Sequence, residues 1–255
     1  MIDIHTHLIP NIDDGCKSIE ESRELLLDAV KMEITDIICT PHFIENGNYK
    51  FEYKMTQVLF DHFQDQILDI PITVHLGNEI YYNNQSLVDM LENKVVHTLA
   101  GSAYYLFELN FTSFNKDIIG EMYDSNISGY HPILAHPERY KFIQEKIDIV
   151  NDFIKEGCYI QVNASSILGY NGRDAKKTAI TLLENNLVHI ISSDAHSKNR
   201  RIDLDEAYDF VLDSYGKDIA DLLMSDNPKR IIMNQKLLST NLEIKKKSVF
   251  SIFRK

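Results

Sequence analysis

Seven short apolar runs divide this chain, and six of them close on a histidine or an acidic residue. The runs cover residues 1–7, 36–41, 72–82, 103–110, 132–136, 158–163 and 188–193. His5 and His7 close the first, and His42 follows the second. Glu79 lies late in the third, Glu108 late in the fourth, and His136 ends the fifth. Asp194 and His196 follow the seventh, and Asp14 lies in the loop after the first. Neutral imidazole nitrogens and carboxylate oxygens suit divalent cations. One ion needs only about three to six such groups, so nine imply several ions held together.

Helix-like stretches fill the intervals. Ser18-x-x-Glu21 is a capping box, and Ile19, Leu25, Leu26, Ala29 and Val30 follow at roughly helical spacing. Further stretches cover residues 147–156, closed by Gly157, 173–186 and 204–215. Strands alternating with helices imply a parallel sheet with crossover helices. Seven such units predict an α/β fold, a distorted (β/α)7 barrel. In a barrel the C-terminal ends of the strands converge on one face, where these groups can meet. An open doubly wound sheet would spread them along a line. We expect one barrel domain over residues 1–240 and a basic tail over 241–255, which holds Lys245-Lys246-Lys247.

The 255 residues carry a formal net charge of −12, which argues against a nucleic-acid partner with its usual basic face. Cys16, Cys39 and Cys158 are an odd number with no C-x-x-C, and they read as reduced thiols in a cytoplasmic protein. Met1 leads directly into Ile-Asp-Ile-His, so no signal peptide is expected, and no apolar run approaches the ~18 residues of a membrane span. The basic tail could touch a membrane surface or an acidic partner peripherally.

His-x-His on a strand places both rings on one side, because side chains alternate with period two. Alone that is a weak signal. It gains weight from Asp194-Ala-His196, also two apart, because the first and last strands of a closed barrel are neighbours. The same parity puts Asp3 on the side of His5, where it could orient an imidazole or simply be partly buried with a hydrogen bond. His62, His75, His97, His131 and His189 read as structural or surface residues. Tyr49, Phe51, Tyr53, Tyr81 and Tyr82 could form an aromatic rim, or simply pack.

Taken together, Asp3-Ile-His-Thr-His7, Asn11-Ile-Asp-Asp-Gly15, Thr40-Pro-His42, Gly77-Asn-Glu79, Ala135-His-Pro-Glu-Arg139 and Ser193-Asp-Ala-His196 resemble the polymerase and histidinol phosphatase superfamily. Within it they are most similar to the capsule-locus metal-dependent protein-tyrosine phosphatases, over about residues 1–215. The resemblance implies three divalent ions, manganese first, with iron or zinc as alternatives. It implies His5, His7, Glu79 and Asp194 on the first ion. Glu79, Glu108 and His136 would hold the second, with Glu79 bridging, and Asp14, His42 and His196 the third. It further implies a phosphotyrosine protein as substrate, the tail of a tyrosine kinase that controls capsular or exopolysaccharide synthesis.

The chemistry fits phosphomonoester hydrolysis. Paired cations lower the pKa of bound water and offset charge on the phosphoryl oxygens. Arg139, three residues after His136, and Arg201, five after His196, are expected to clamp the phosphate, with the adjacent Arg200 as the alternative. Tyrosine leaves with a pKa near 10, which lowers the demand for a general acid; His42 or His196 could serve. No cysteine has the Cys-x5-Arg spacing of thiol-based phosphatases, since positions 22, 45 and 164 are Ser, Glu and Ala. The alternatives are a small-molecule phosphatase such as histidinol phosphatase, a phosphodiesterase, or a metal-bound scaffold.

Overall fold

The apolar runs become parallel strands, and most of the stretches between them become helices. A computed structural model describes residues 1–239, which form nine strands. These are β1 (Ile2–Thr6), β2 (Asp36–Cys39), β3 (His42–Phe43), β4 (Thr73–Leu76), β5 (Glu79–Tyr81), β6 (Tyr104–Glu108), β7 (His131–Leu134), β8 (Tyr159–Asn163) and β9 (Ile190–Ser192). The first four helices along the chain are α1 (Ile19–Lys31), α2 (Tyr53–Asp65), α3 (Leu87–Glu92) and α4 (Asp117–Ile127). The predicted capping box at the head of α1 is present: Ser18 Oγ accepts from the Glu21 amide, and Glu21 reaches back to the Lys17 amide. Ser22, Leu25, Leu26 and Ala29 then form the buried face at helical spacing.

The strands pair in the orders β1-β2-β4 and β3-β5-β6-β7-β8-β9, and every pair is parallel. Nine strands occupy seven positions, because the second run is followed by a short further strand and the third run breaks in two. The break at Thr40-Pro41 separates β2 from β3, and the break at Gly77-Asn78 separates β4 from β5. Pro41 has no amide hydrogen to give the ladder. Asn78 donates its side-chain amide to the Pro41 carbonyl and accepts from the His97 amide. At Gly77 a Cβ would lie 2.8 Å from Leu99 Cδ2, so the close approach there requires glycine. Beyond the two breaks, β3 and β5 restart in register with His42 opposite Glu79.

A bulge re-aims β1. The pairing advances from Asp3↔Ile37 to Thr6↔Cys39, three residues on β1 against two on β2. Ile2 and Ile4 can therefore pack with Ile38, Leu106, Ile133 and Ile190, from strands on several sides of the ring, while His5 and His7 reach the mouth. Side chains from non-adjacent strands meet this way inside a closed ring. The ring closes where Thr6 bridges Ala195, with the His7 amide donating to Ala195 O at 2.8 Å and the Asp194 amide to His5 O at 2.9 Å. A larger apolar cluster, including Leu26, Ile37, Phe63, Phe107, Met122 and Ile160, joins the strands to the surrounding helices. The expected tail, 241–255, lies outside the described residues.

Candidate metal centre

All nine expected donors gather at the C-terminal ends of the strands. They fall into four overlapping groups: His5, His7 and Asp194; His5, Glu79 and His136; His42, Glu79 and Glu108; and His7, Asp14, His42 and His196. Within each group the donor atoms lie within 4.8 Å of one another. Glu79 sits at the middle. Its Oε2 lies 3.2 Å from His5 Nε2, 3.3 Å from His7 Nε2 and 3.1 Å from His42 Nδ1, and its Oε1 lies 2.9 Å from His136 Nε2. Asp14 Oδ1 is 3.3 Å from His42 Nε2 and 3.5 Å from His196 Nε2. The Asp14 side chain is 47% exposed, whereas Glu79 is buried, so the cluster opens to solvent on the Asp14 side.

The donor set fits a cation on its own evidence. His42 Nδ1, Glu79 Oε2, His136 Nδ1 and His196 Nε2 are buried with no hydrogen-bond partner. Unpartnered polar atoms are costly in a protein interior, and four in one cluster of imidazoles and carboxylates suit an electrophile between them. Two donors also sit on left-handed backbone, His136 at φ 34° and Asp194 at φ 56°. Such conformations concentrate where function holds a residue in place.

Supporting residues set which nitrogen faces inward. Asp13 Oδ2 is 2.7 Å from His7 Nδ1 and also accepts the His42 amide at 3.0 Å, while Asp13 Oδ1 accepts the Gly15 amide. Gly15 is required here, because a Cβ would lie 2.1 Å from the His7 carbonyl oxygen. Gln161 Oε1 lies 3.0 Å from His5 Nδ1. Its amide donates to Asn163 Oδ1, and Asn163 Nδ2 donates to Asp194 Oδ2 at 2.8 Å. His196 Nδ1 lies 2.9 Å from the Asp194 carbonyl oxygen. With Nδ1–H donated to these partners, Nε2 of His5, His7 and His196 presents its lone pair to the centre.

Burial disfavours charge on these groups, but their mutual attraction outweighs it for most. Burial would lower His5, yet Glu79 and Asp194 hold it up at about 9. His7 is raised and His42 raised well above its usual value, each against burial, by Asp13 and by Glu79 with Asp14 respectively. Glu79 lies well below the carboxylate range against its own burial, held by His5 and His42. His196 is the exception, lowered to about 4 by burial and by His7. Cations in the centre would take over the charge balance that protons on these imidazoles supply.

Two guanidiniums border the cluster. Arg139 Nη1 and Arg200 Nη2 each lie 3.0 Å from Asp194 Oδ2. Arg139 also lies over the Phe111 ring, 4.9 Å from its centroid, and Phe111 stacks on His136. Arg201 pairs instead with Glu206, although it lines the same small cleft beside Asp194 as Arg200. The structure therefore brings Arg200 rather than Arg201 onto the cluster.

Sequence reasoning misplaced or missed several partners. Asp3 orients no imidazole: its Oδ1 accepts the His5 and Ser193 amides, and the β1 bulge removes the simple parity that aligned it with His5. Glu138, within the His-Pro-Glu-Arg motif, is buried and accepts the Asn163 amide. Of the five aromatic residues that could form a rim or simply pack, Phe51 and Tyr53 line a groove beside the centre. Tyr49 stacks on His42 and Tyr53 on His97, Tyr82 is buried, and Tyr81 bonds Asn110. Gln161 was not anticipated, though its alternation with Asn163 on β8 was visible as two polar residues two apart in an apolar run. Asp13 was read only as a neighbour of Asp14. His62, His75, His97, His131 and His189 belong to no candidate group among the described residues.

A closed parallel β/α ring with imidazoles and carboxylates nested at its mouth is a metal-centred α/β barrel. The chain belongs to the CpsB/CapC family of capsular polysaccharide synthesis, whose model matches residues 1–233. It is 33% identical over 245 residues to the tyrosine-protein phosphatase CpsB of Streptococcus pneumoniae, covering 92% of this chain and 99% of that one. It is 32% identical over 241 residues to the putative tyrosine-protein phosphatase CapC of Staphylococcus aureus, covering 93% of each. Among solved structures it resembles one of the pair YwqE from Bacillus subtilis and CpsB from Streptococcus pneumoniae, described as metal-dependent tyrosine phosphatases. The TM-score is 0.89 at 31% identity, over 94% of this chain and 97% of that chain.

Proposed function

We propose that this chain is a metal-dependent protein-tyrosine phosphatase. The observation that carries the reading is the convergence of nine nitrogen and oxygen donors in one cluster with two guanidiniums on its border. The matched family, and the names its relatives carry, point the same way. Following the family resemblance, we assign three ions to these overlapping donors. His5, His7, Glu79 and Asp194 would hold the first, Glu79, Glu108 and His136 the second, and Asp14, His42 and His196 the third. Glu79, central to four imidazoles, is placed to bridge. Manganese is the first candidate, with iron or zinc as alternatives for the same donors.

Bound ions would activate water and polarise the phosphoryl oxygens. The rest falls to the chain. Four carboxylates, Asp14, Glu79, Glu108 and Asp194, leave a three-ion centre net positive, matched to a phosphate dianion. Arg139 and Arg200, both resting on Asp194, can swing onto phosphate oxygens as a planar clamp, with Arg201 close behind. His42 and His196 face the open Asp14 side; with Nδ1 of His196 on the Asp194 carbonyl and Nε2 turned to the centre, His196 has no proton to pass, and a phenolate leaving group asks for little acid help. The three cysteines are free and buried, and burial pushes the Cys16 thiol up to about 11, so a thiolate nucleophile is not supported. The same free thiols support a cytoplasmic location. We take the substrate to be the phosphotyrosine tail of a kinase in the capsule locus.

The test is turnover of phosphotyrosine peptide, histidinol phosphate and a DNA phosphodiester by metal-loaded protein. A kcat/KM that favours the phosphotyrosine peptide is expected. A clear preference for histidinol phosphate or for the phosphodiester would replace this reading.

A further inference from the structure

A second groove opens beside the metal centre, and its charge runs against that of the molecule. It measures about 360 Å³ and is lined by Phe43, Phe51, Tyr53 and Val95, with Lys50, Lys54 and Lys94 around them. All three lysines are exposed, and none forms an ion pair among the described residues, so their charges are open to a ligand in the groove. Glu52 also lines the groove, which leaves three positive charges against one negative on a chain of net charge −12. Tyr53 and Lys54 open helix α2, whose N-cap Glu52 forms no side-chain capping bond and is the one acidic group at that end of the groove.

The groove and the centre are contiguous. Phe43 directly follows His42, and the Tyr49 ring, next to Lys50, stacks on the His42 ring at 5.9 Å. Since an extended peptide advances about 3.3–3.6 Å per residue, positions a few residues from a bound phosphotyrosine would fall over the groove. We propose that this groove seats an acidic stretch of the substrate polypeptide flanking the phosphotyrosine, with carboxylates meeting the three lysines and apolar side chains meeting the floor. The proposal rests on the phosphatase reading above and adds a sequence preference to it.

The test compares phosphotyrosine peptides of equal length whose flanks carry either glutamate or glutamine, with the full-length, metal-loaded protein. The wild type should favour the glutamate peptide by about tenfold in kcat/KM, the order expected of three exposed ion pairs acting together. The preference should weaken with salt. In a Lys50→Glu/Lys54→Glu/Lys94→Glu variant with unchanged circular dichroism, it should vanish or reverse. A fluorescent, unphosphorylated acidic peptide, followed by anisotropy, should bind the wild type and not the variant. Equal rates on the two peptides, or a preference that survives the triple substitution, would overturn the proposal. So would binding of anionic vesicles, but not peptide, that is lost in the variant. If no phosphotyrosine peptide is hydrolysed, the phosphatase reading fails, and the anisotropy titration still decides whether the groove binds acidic peptide.

Discussion

Asp13→Asn separates support of the centre from the donors themselves. Asp13 Oδ2 faces two donors, His7 Nδ1 at 2.7 Å and the His42 amide at 3.0 Å, and Oδ1 faces a third, the Gly15 amide. An asparagine has one oxygen and one amide nitrogen, so in either orientation its NH2 meets at least one N–H. If the nitrogen faces His7, the imidazole must move its proton to Nε2 and so turn a donor hydrogen, not a lone pair, toward the centre. If it faces Gly15, the loop that carries Asp14 loses its anchor. Loss of such a supporting partner typically costs about 10- to 100-fold in metal affinity, or ~1.4–2.7 kcal/mol. The assay is titration of metal-free protein with Mn²⁺, with metal content checked by elemental analysis. Activity should recover substantially at saturating metal, because no donor has been removed. Wild-type metal affinity in Asp13→Asn would refute the claim that this carboxylate sets the His7 tautomer.

Strong chelation should abolish phosphatase activity and Mn²⁺ restore it, while thiol alkylation changes little because all three cysteines are buried; full activity of verified metal-free protein would contradict this. Arg139→Ala and Arg200→Ala should each lower kcat/KM by about 10- to 1,000-fold with metal content intact, and Arg201→Ala by less. The reverse order for Arg200 and Arg201 would show that the Glu206 pair breaks when phosphate binds. Metal should raise the melting temperature, and the gap should widen between about pH 6.5 and 9. His5, raised to about 9 in the metal-free fold, contributes stability that is complete below its unfolded value and lost as pH rises through 9, and the raised His7 and His42 act in the same direction. Metal binding needs neutral imidazoles and strengthens over the same window. A gap that narrows with rising pH would sink this account.

The ring and its donors were legible because they rest on local signals. Apolar runs of strand length, alternating with capped helical stretches, predicted the parallel barrel, and a polar residue at a run's end predicted its face. What escaped notice depends on tertiary contacts. Pro41 ends its run as read, but Gly77 sits within one, and only the approach of Leu99 and the hydrogen bonds of Asn78 show that the chain breaks there. The β1 bulge shifts parity by one, so of the two readings of Asp3 it is the buried, backbone-bonded one that holds. Arg200 and Arg201 are neighbours with identical chemistry, and their directions follow from Asp194 and Glu206, carboxylates on different segments.

The breaks explain how four imidazoles reach one carboxylate. A regular strand places alternate side chains on a fixed line, and seven such lines around a ring leave their tips well separated. Here the second and third positions end early and restart after Thr40-Pro41 and Gly77-Asn78, so His42 and Glu79 open short new strands that pair with each other. The bulge in β1 does the same for His5 and His7, and left-handed backbone does it for His136 and Asp194. Each irregularity forgoes ladder hydrogen bonds or adopts a disfavoured conformation, and each occurs where a candidate donor turns inward. Restoring regular geometry at one of them, for example by Gly77→Ala, should therefore reduce metal affinity as well as stability. The added methyl group would press on Leu99 and displace the strand that Glu79 begins. A Gly77→Ala protein that loses stability but binds metal as tightly as the wild type would separate the kink from the site and refute this link.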